Sequence, residues 1–232
     1  MIDTPMPGGW TLSMAWTRLC GETWLGGAAA FLAMWAVMMA VMMLPSLVPV
    51  LVRCRRAACR ASVASAVGAT AAVALGYLSV WMAVGAVAYA LGTAVVEVLM
   101  RSASLARAAP AAAGAVVAAV GATQFTAWKG RRLAACDRAS ATPAGSIRAT
   151  MYEALRHGRR LGVECCHACA GFTLVLLVVG VMDVTAMALV TLAIAAERLL
   201  PSKRPQVAWA SGAVLLGTGM LLIVRGCEAL RT

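Results

Sequence analysis

The 232 residues are 62% hydrophobic and 12% charged, which leaves too little polar surface to cover a water-soluble globule and describes an integral membrane protein. A net charge of +11 would suit a nucleic-acid partner in a soluble chain, but the basic residues fall in short clusters between apolar runs, the arrangement of cytoplasmic loops, and no nucleic acid is expected. The eight cysteines lack the spacing of a small secreted disulfide framework, and several lie inside or beside lipid-length runs, so they are read as thiols.

Residues 1–25 have no basic n-region and no compact apolar run ending in a small-residue cleavage site, so they do not have the form of a signal peptide. They carry Trp10, Trp16 and Trp24, rings suited to the headgroup level, and are expected to form an N-terminal interfacial tail. Residues 26–226 are expected to form a six-helix membrane domain and residues 227–232 a C-terminal tail. The first span runs from Gly26 to Val52 and contains five of the chain's 14 methionines in ten residues, Met34, Met38, Met39, Met42 and Met43. At about 100° per residue Met34, Met38, Met39 and Met42 share one broad helix face with Trp35. Pro45 and Pro49 each remove a backbone donor and should kink the inner third. Arg53, Arg55, Arg56 and Arg60 then anchor the inner end, with Cys54 and Cys59 among them as incidental thiols.

The second span, from Ser62 to Leu91, repeats small residues at Gly68, Ala72 and Gly76, which permits close helix contact. An outer connection over Gly92 to Ala109 and a third span over Ala111 to Trp128 follow, with Gln124 placed to hydrogen-bond across helices near the inner boundary. Residues 129–160 form a basic loop whose charge makes it cytoplasmic, with Thr142 to Gly145 as its turn signal.

Next comes Glu164-Cys165-Cys166-His167-Ala168-Cys169, followed by an apolar run to Met182. Residues 170–182 alone are too short to cross about 30 Å of hydrocarbon at about 1.5 Å per residue, so the cysteines lie inside the fourth span. Asp183 caps the turn into a fifth span, Pro201 and Pro205 bracket the last inner loop, and Gln206 to Arg225 form the sixth. This distribution places most of the basic residues in three alternate loops, with both termini outside. The fold class is an all-α polytopic membrane helix bundle of about six transmembrane helices.

Met38, Met39, Met42 and Met43 lie at a depth comparable with that of the cysteines. Thiolates from Cys166 and Cys169, at i and i+3, completed by thioethers from the first span, would make a soft, low-coordination site selecting Cu(I), with Zn(II) a poorer fit. Cys165 and His167 are further candidate ligands, His167 standing about 100° off the Cys166–Cys169 face.

At these residues the chain resembles a family of bacterial predicted metal-binding integral membrane proteins. Its signature, Met-Trp-x-x-Met-Met-x-x-Met-Met-x-Pro-Ser, is matched from Met34 to Ser46, and Gly76-Tyr77, Trp81, Gln124, Lys129, Gly180, Met182 and Glu197 fall in the family's order. The chain departs from it by carrying Ala170 where a third cysteine is usual and Asp183 in place of asparagine. The resemblance implies a bacterial inner-membrane protein that binds a metal.

Three functions are compatible with these features. The first is a protein that handles Cu(I) for transfer or for assembly of a copper enzyme, with the bilayer and a copper protein as partners. The second is a structural or accessory subunit of a larger membrane complex, its methionines serving as adaptable contacts. The third is a thiol oxidoreductase using Cys166 and Cys169, for which no quinone site or aqueous thiol partner is marked. No catalytic residues are expected: neither His157 nor His167 accompanies a nucleophile motif, and no glycine loop marks a nucleotide.

Overall fold

A computed structural model of the chain describes residues 4–6, 10–12, 23–58, 63–141, 151–180 and 183–231. Among these, β1 (Thr4–Met6) pairs antiparallel with β2 (Trp10–Leu12), and the elements described after them are all helices. The helices are α1 (Trp24–Ala58), α2 (Val63–Arg101), α3 (Ala103–Thr123), α4 (Ala127–Ala141), α5 (Met151–Val179), α6 (Val184–Leu199) and α7 (Arg204–Arg231). The expected all-α bundle is present, and α1, α2, α3, α5 and α7 are long and apolar enough to cross a membrane. Trp16, Cys20, Cys59, the Thr142 to Gly145 turn and Met182 lie outside the described residues.

Three boundaries differ from those read in the sequence. The outer connection expected over 92–109 is helical apart from Ser102: α2 continues for 39 residues, about 58 Å, because its apolar run is unbroken and the exposed Glu97–Arg101 pair supports the last turn. The third span ends earlier, at Thr123, where Gln124 is the C-cap, and Trp128 and Lys129 start the separate helix α4. Much of the expected basic loop is therefore helix, in α4 and the first turns of α5. The fifth expected crossing is α6, whose 16 residues span about 24 Å, short of about 30 Å of hydrocarbon. Local chemistry sets its length. Gly180, at φ +140°, breaks the chain out of α5. The Asp183 carboxylate then accepts from the amides of Thr185 (2.8 Å) and Ala186 (3.0 Å) to start α6, and Pro201 follows its end.

Two compact units gather these elements, one from residues 1–33, 86–126 and 171–232, the other from 34–85 and 127–170. In the first, α3 and α7 run antiparallel in close contact. A Cβ on Gly114 would meet the Gly219 carbonyl at 2.7 Å, one on Gly219 the Ala118 amide at 2.5 Å, and one on Gly226 the Ala111 amide at 2.6 Å. Val117, Val120 and Val175 fill the core beside this seam, and Phe125 meets Trp209 edge-on with centroids 5.6 Å apart.

In the second unit, α1 lies antiparallel to α2. The buried Trp35 indole donates to the Trp81 carbonyl at 2.9 Å and occupies the space that a Cβ on Gly85 would take. Toward the other end of the pair, Leu51 packs on Ala72 and Val73. α2 and α5 run parallel and almost backbone to backbone: a Cβ on Gly76 would sit 2.2 Å from the Leu155 carbonyl, and one on Gly158 would sit 2.1 Å from that of Val73. α4 is tied to both neighbours, through Arg53, which donates to the Ser140 carbonyl at 3.1 Å, and through Lys129, which donates to the Ala168 carbonyl at 3.1 Å.

Candidate metal centre

The methionine stripe of α1 faces inward. Met38, Met39, Met42 and Met43 are buried, Met34 is half-buried, and Val37, Val41, Leu44 and Val48 form the opposite, exposed face. The 3.6-residue period explains the division, since 38, 42 and 39, 43 are two ridges one turn apart. Pro45 and Pro49 stand inside α1 without ending it, the helix continuing to Ala58.

On α5 the buried ridge is Leu161, Cys165, Ala168, Cys169, Phe172 and Leu176. The cysteines fall in three environments. Cys165 and Cys169, at i and i+4, are buried, Cys166 is half-buried, and His167 beside them is exposed. The i, i+3 pair singled out in the sequence therefore has one member in the interior and one at its margin, while Cys165 occupies the deepest position.

The Cys165 Sγ lies 4.0 Å from the Met43 Sδ, joining α1 to α5 through sulfur. From α2, the Tyr77 hydroxyl donates to the same Sγ at 3.1 Å. All three side chains are about 1% exposed. Lys129 is also buried, and its ammonium is held on the carbonyl of the residue before Cys169. Among the described residues no group of three or more His, Cys, Asp and Glu side chains could hold a metal ion. A metal bound here would need thioether as well as thiolate. The buried sulfurs are suited to that: Met38, Met39, Met42 and Met43 of α1 and Cys165 and Cys169 of α5 are the soft ligand type that selects Cu(I) over harder divalent ions.

Tyr77 and Lys129 stand around the sulfurs without having been read as site residues, although both are positions of the family resemblance. Periodicity does not mark them: Tyr77 follows a glycine in the middle of a span, and Lys129 opens the basic run that continues with Arg131 and Arg132.

Over residues 32–222 the chain matches the PpoB2 family, described as copper chaperone. It belongs to that family. The match contains both halves of the sulfur pair, and it makes the protein's function copper-related. No curated protein and no solved structure matches the chain.

Proposed function

We propose that this copper chaperone family member is an integral membrane protein that holds Cu(I) between the Cys165 thiolate and the Met43 thioether and passes it to a copper protein. The observation that carries the reading is the buried sulfur pair. Two sulfurs 4.0 Å apart, each about 2.3 Å from a shared ion, subtend roughly 120° at it, an open angle that leaves room for a third sulfur. Cys169, one turn along α5, and Met39, one turn back along α1, are the buried candidates for that place, and Met38 and Met42 are further buried thioethers of the stripe. Cys166 and His167 stand at the margin, where an incoming partner could meet the ion.

Charge favours this donor set inside a bilayer. One thiolate neutralises one Cu(I), so the loaded pair adds no net charge to the hydrocarbon, and a thioether adds none at all. Loading releases the Cys165 thiol proton and delivery restores it. Transfer then proceeds by exchange, each new sulfur–copper bond to the acceptor replacing one to the carrier.

The proposed setting is the bacterial inner membrane, with α4 and the start of α5, carrying Arg131, Arg132, Arg138, Arg156, Arg159 and Arg160, on the cytoplasmic side. The antiparallel contact of α3 and α7 supports a sixth crossing. α7 begins at the end where α3 finishes, and the chain passes from that end of α3 directly into the basic residues of α4. α5 leaves the basic side and ends away from it, and α6 has to bring the chain back, which a short helix does by local thinning of the bilayer. Both termini then lie outside, and an impermeant thiol reagent added to intact cells should modify the exposed Cys227. Labelling of Cys227 only after the cells are broken would reverse this topology.

The metal reading is tested by Cu(I) analysis of protein purified under reducing conditions. C165S should lose its copper, because a hydroxyl is a harder and far less acidic donor than a thiol, and M43L should bind it much more weakly. C54S and C227S should match the wild type. Equal copper in C165S and wild type would sink the site.

A further inference from the structure

We propose that Tyr77 is a positioning residue for copper, its hydroxyl holding the Cys165 sulfur turned toward Met43. This rests on the reading of Cys165 and Met43 as copper ligands. The geometry is a chain of three helices: Tyr77 on α2 donates to the Cys165 Sγ at 3.1 Å, and that same sulfur faces the Met43 Sδ at 4.0 Å. A cysteine on a helix has alternative χ1 rotamers, and a hydrogen bond from a fixed hydroxyl selects the one pointing at α1.

The tyrosine is built into the helix contact. Its predecessor Gly76 lies almost on the Leu155 carbonyl, and a Cβ on Gly158 or Gly162 would strike the carbonyls of Val73 (2.1 Å) or Tyr77 itself (3.0 Å). These absent side chains bring α2 close enough to α5 for a phenol to reach a sulfur one helix away. A buried hydroxyl in an apolar span is costly unless bonded, and a packing role alone would be met by phenylalanine at no such cost. The acceptor is sulfur, a weak acceptor as a thiol and a strong one as a thiolate, so the contact strengthens in the ionisation state that binds metal. The phenol does not bind copper itself, being a hard oxygen donor beside soft sulfurs. It acts through Cys165, in the way outer-shell partners orient metal ligands and tune their affinity.

The test compares full-length wild type, Y77F, C165S and W35F in detergent, loaded with Cu(I) and titrated with a chromophoric Cu(I) chelator. Y77F should keep the wild-type stoichiometry and lose about tenfold or more in affinity. Its sulfur-to-copper charge-transfer band should move to longer wavelength, because the thiolate no longer shares electron density with a donor. W35F removes a buried donor in the same unit that bonds the Trp81 carbonyl instead, so it should leave the band in place. Absence of Cu(I) from the wild type would remove the copper-site reading itself. Copper that is lost in C165S but unchanged in affinity and spectrum in Y77F would leave that reading standing and overturn the role of Tyr77 alone. If Y77F does not fold, the tyrosine vibrational spectrum of wild type is compared with that of C165A. A hydrogen-bonded phenol signature lost in C165A supports the contact, and identical spectra overturn it.

Discussion

Two helix pairs in this protein are built with the same device and put to different ends. α3 and α7 close on glycines and alanines, and what fills the space beside them is Val117, Val120, Val175 and edge-on aromatic rings. α2 and α5 close on Gly76 and Gly158 at still shorter range, but beside that contact stand a hydroxyl, a thiol and a thioether. In the proposed bilayer setting hydrocarbon would offer no hydrophobic drive for helices to associate, and both pairs would depend on close van der Waals packing, which small residues permit. The first pair ends in packing alone. In the second, the same closeness sets the reach of polar side chains, so a change of a few tenths of an ångström should be felt in chemistry as well as in stability.

That contrast can be broken by giving each seam a methyl group. G158A should have the larger effect, since its Cβ would lie 2.1 Å from the Val73 carbonyl, backbone rather than a flexible side chain, so that α2 and α5 must move apart to admit it. A loss of about 3 kcal/mol is expected from overpacking of this kind, read as a lowered thermal midpoint in detergent, together with a fall in Cu(I) affinity as Tyr77 and Cys165 separate. Lost stability with wild-type copper affinity would mean that the helix approach does not form the site.

G219A is the matching change in the other seam, where the new Cβ would meet the Ala118 amide at 2.5 Å. A destabilisation of about 2 kcal/mol is expected, with copper affinity at the wild-type value once the folded fraction is accounted for. A copper defect equal to that of G158A would erase the distinction between the two pairs.

A smaller effect sharpens the comparison at a helix start. Replacing Asp183 by alanine removes the acceptor for two α6 amides and should cost about 1 kcal/mol. Hydrogen exchange should rise at Thr185 and Ala186 while Cu(I) binding and the helicity of α1 and α5 stay unchanged. Protection equal to wild type at those amides would show that the cap is dispensable.

Apolar run length and the position of charge made the bundle legible in the sequence, because a backbone in hydrocarbon has to satisfy its own hydrogen bonds and helices do so within one segment. The inward turn of the methionine stripe was legible for a related reason: 3.6 residues per turn places 38, 39, 42 and 43 on one side wherever α1 packs. Asp183 could be read as a cap from residue type and position. Helix ends were less legible, since Ser102 is a single residue and 124–126 only three inside apolar composition, whereas the ends of α6 follow Asp183 and Pro201 as their residue types suggest.

The choice among the neighbouring donors of α5 belonged to the tertiary structure. Cys165, Cys166 and His167 are separated by 100° steps around α5, so their fates depend on which side of that helix meets α1 and α2, and no local periodicity states it. Cys165 was chosen by the parallel approach of α2 through Gly76 and Gly158, contacts more than 75 positions apart in the chain. Tyr77 became a partner of sulfur for the same reason. The sequence by itself determined that soft donors would be buried in membrane-length helices; only the packing of those helices decided that Met43 and Cys165 would face each other, because a distance between sulfurs on different helices is a property of how their backbones meet.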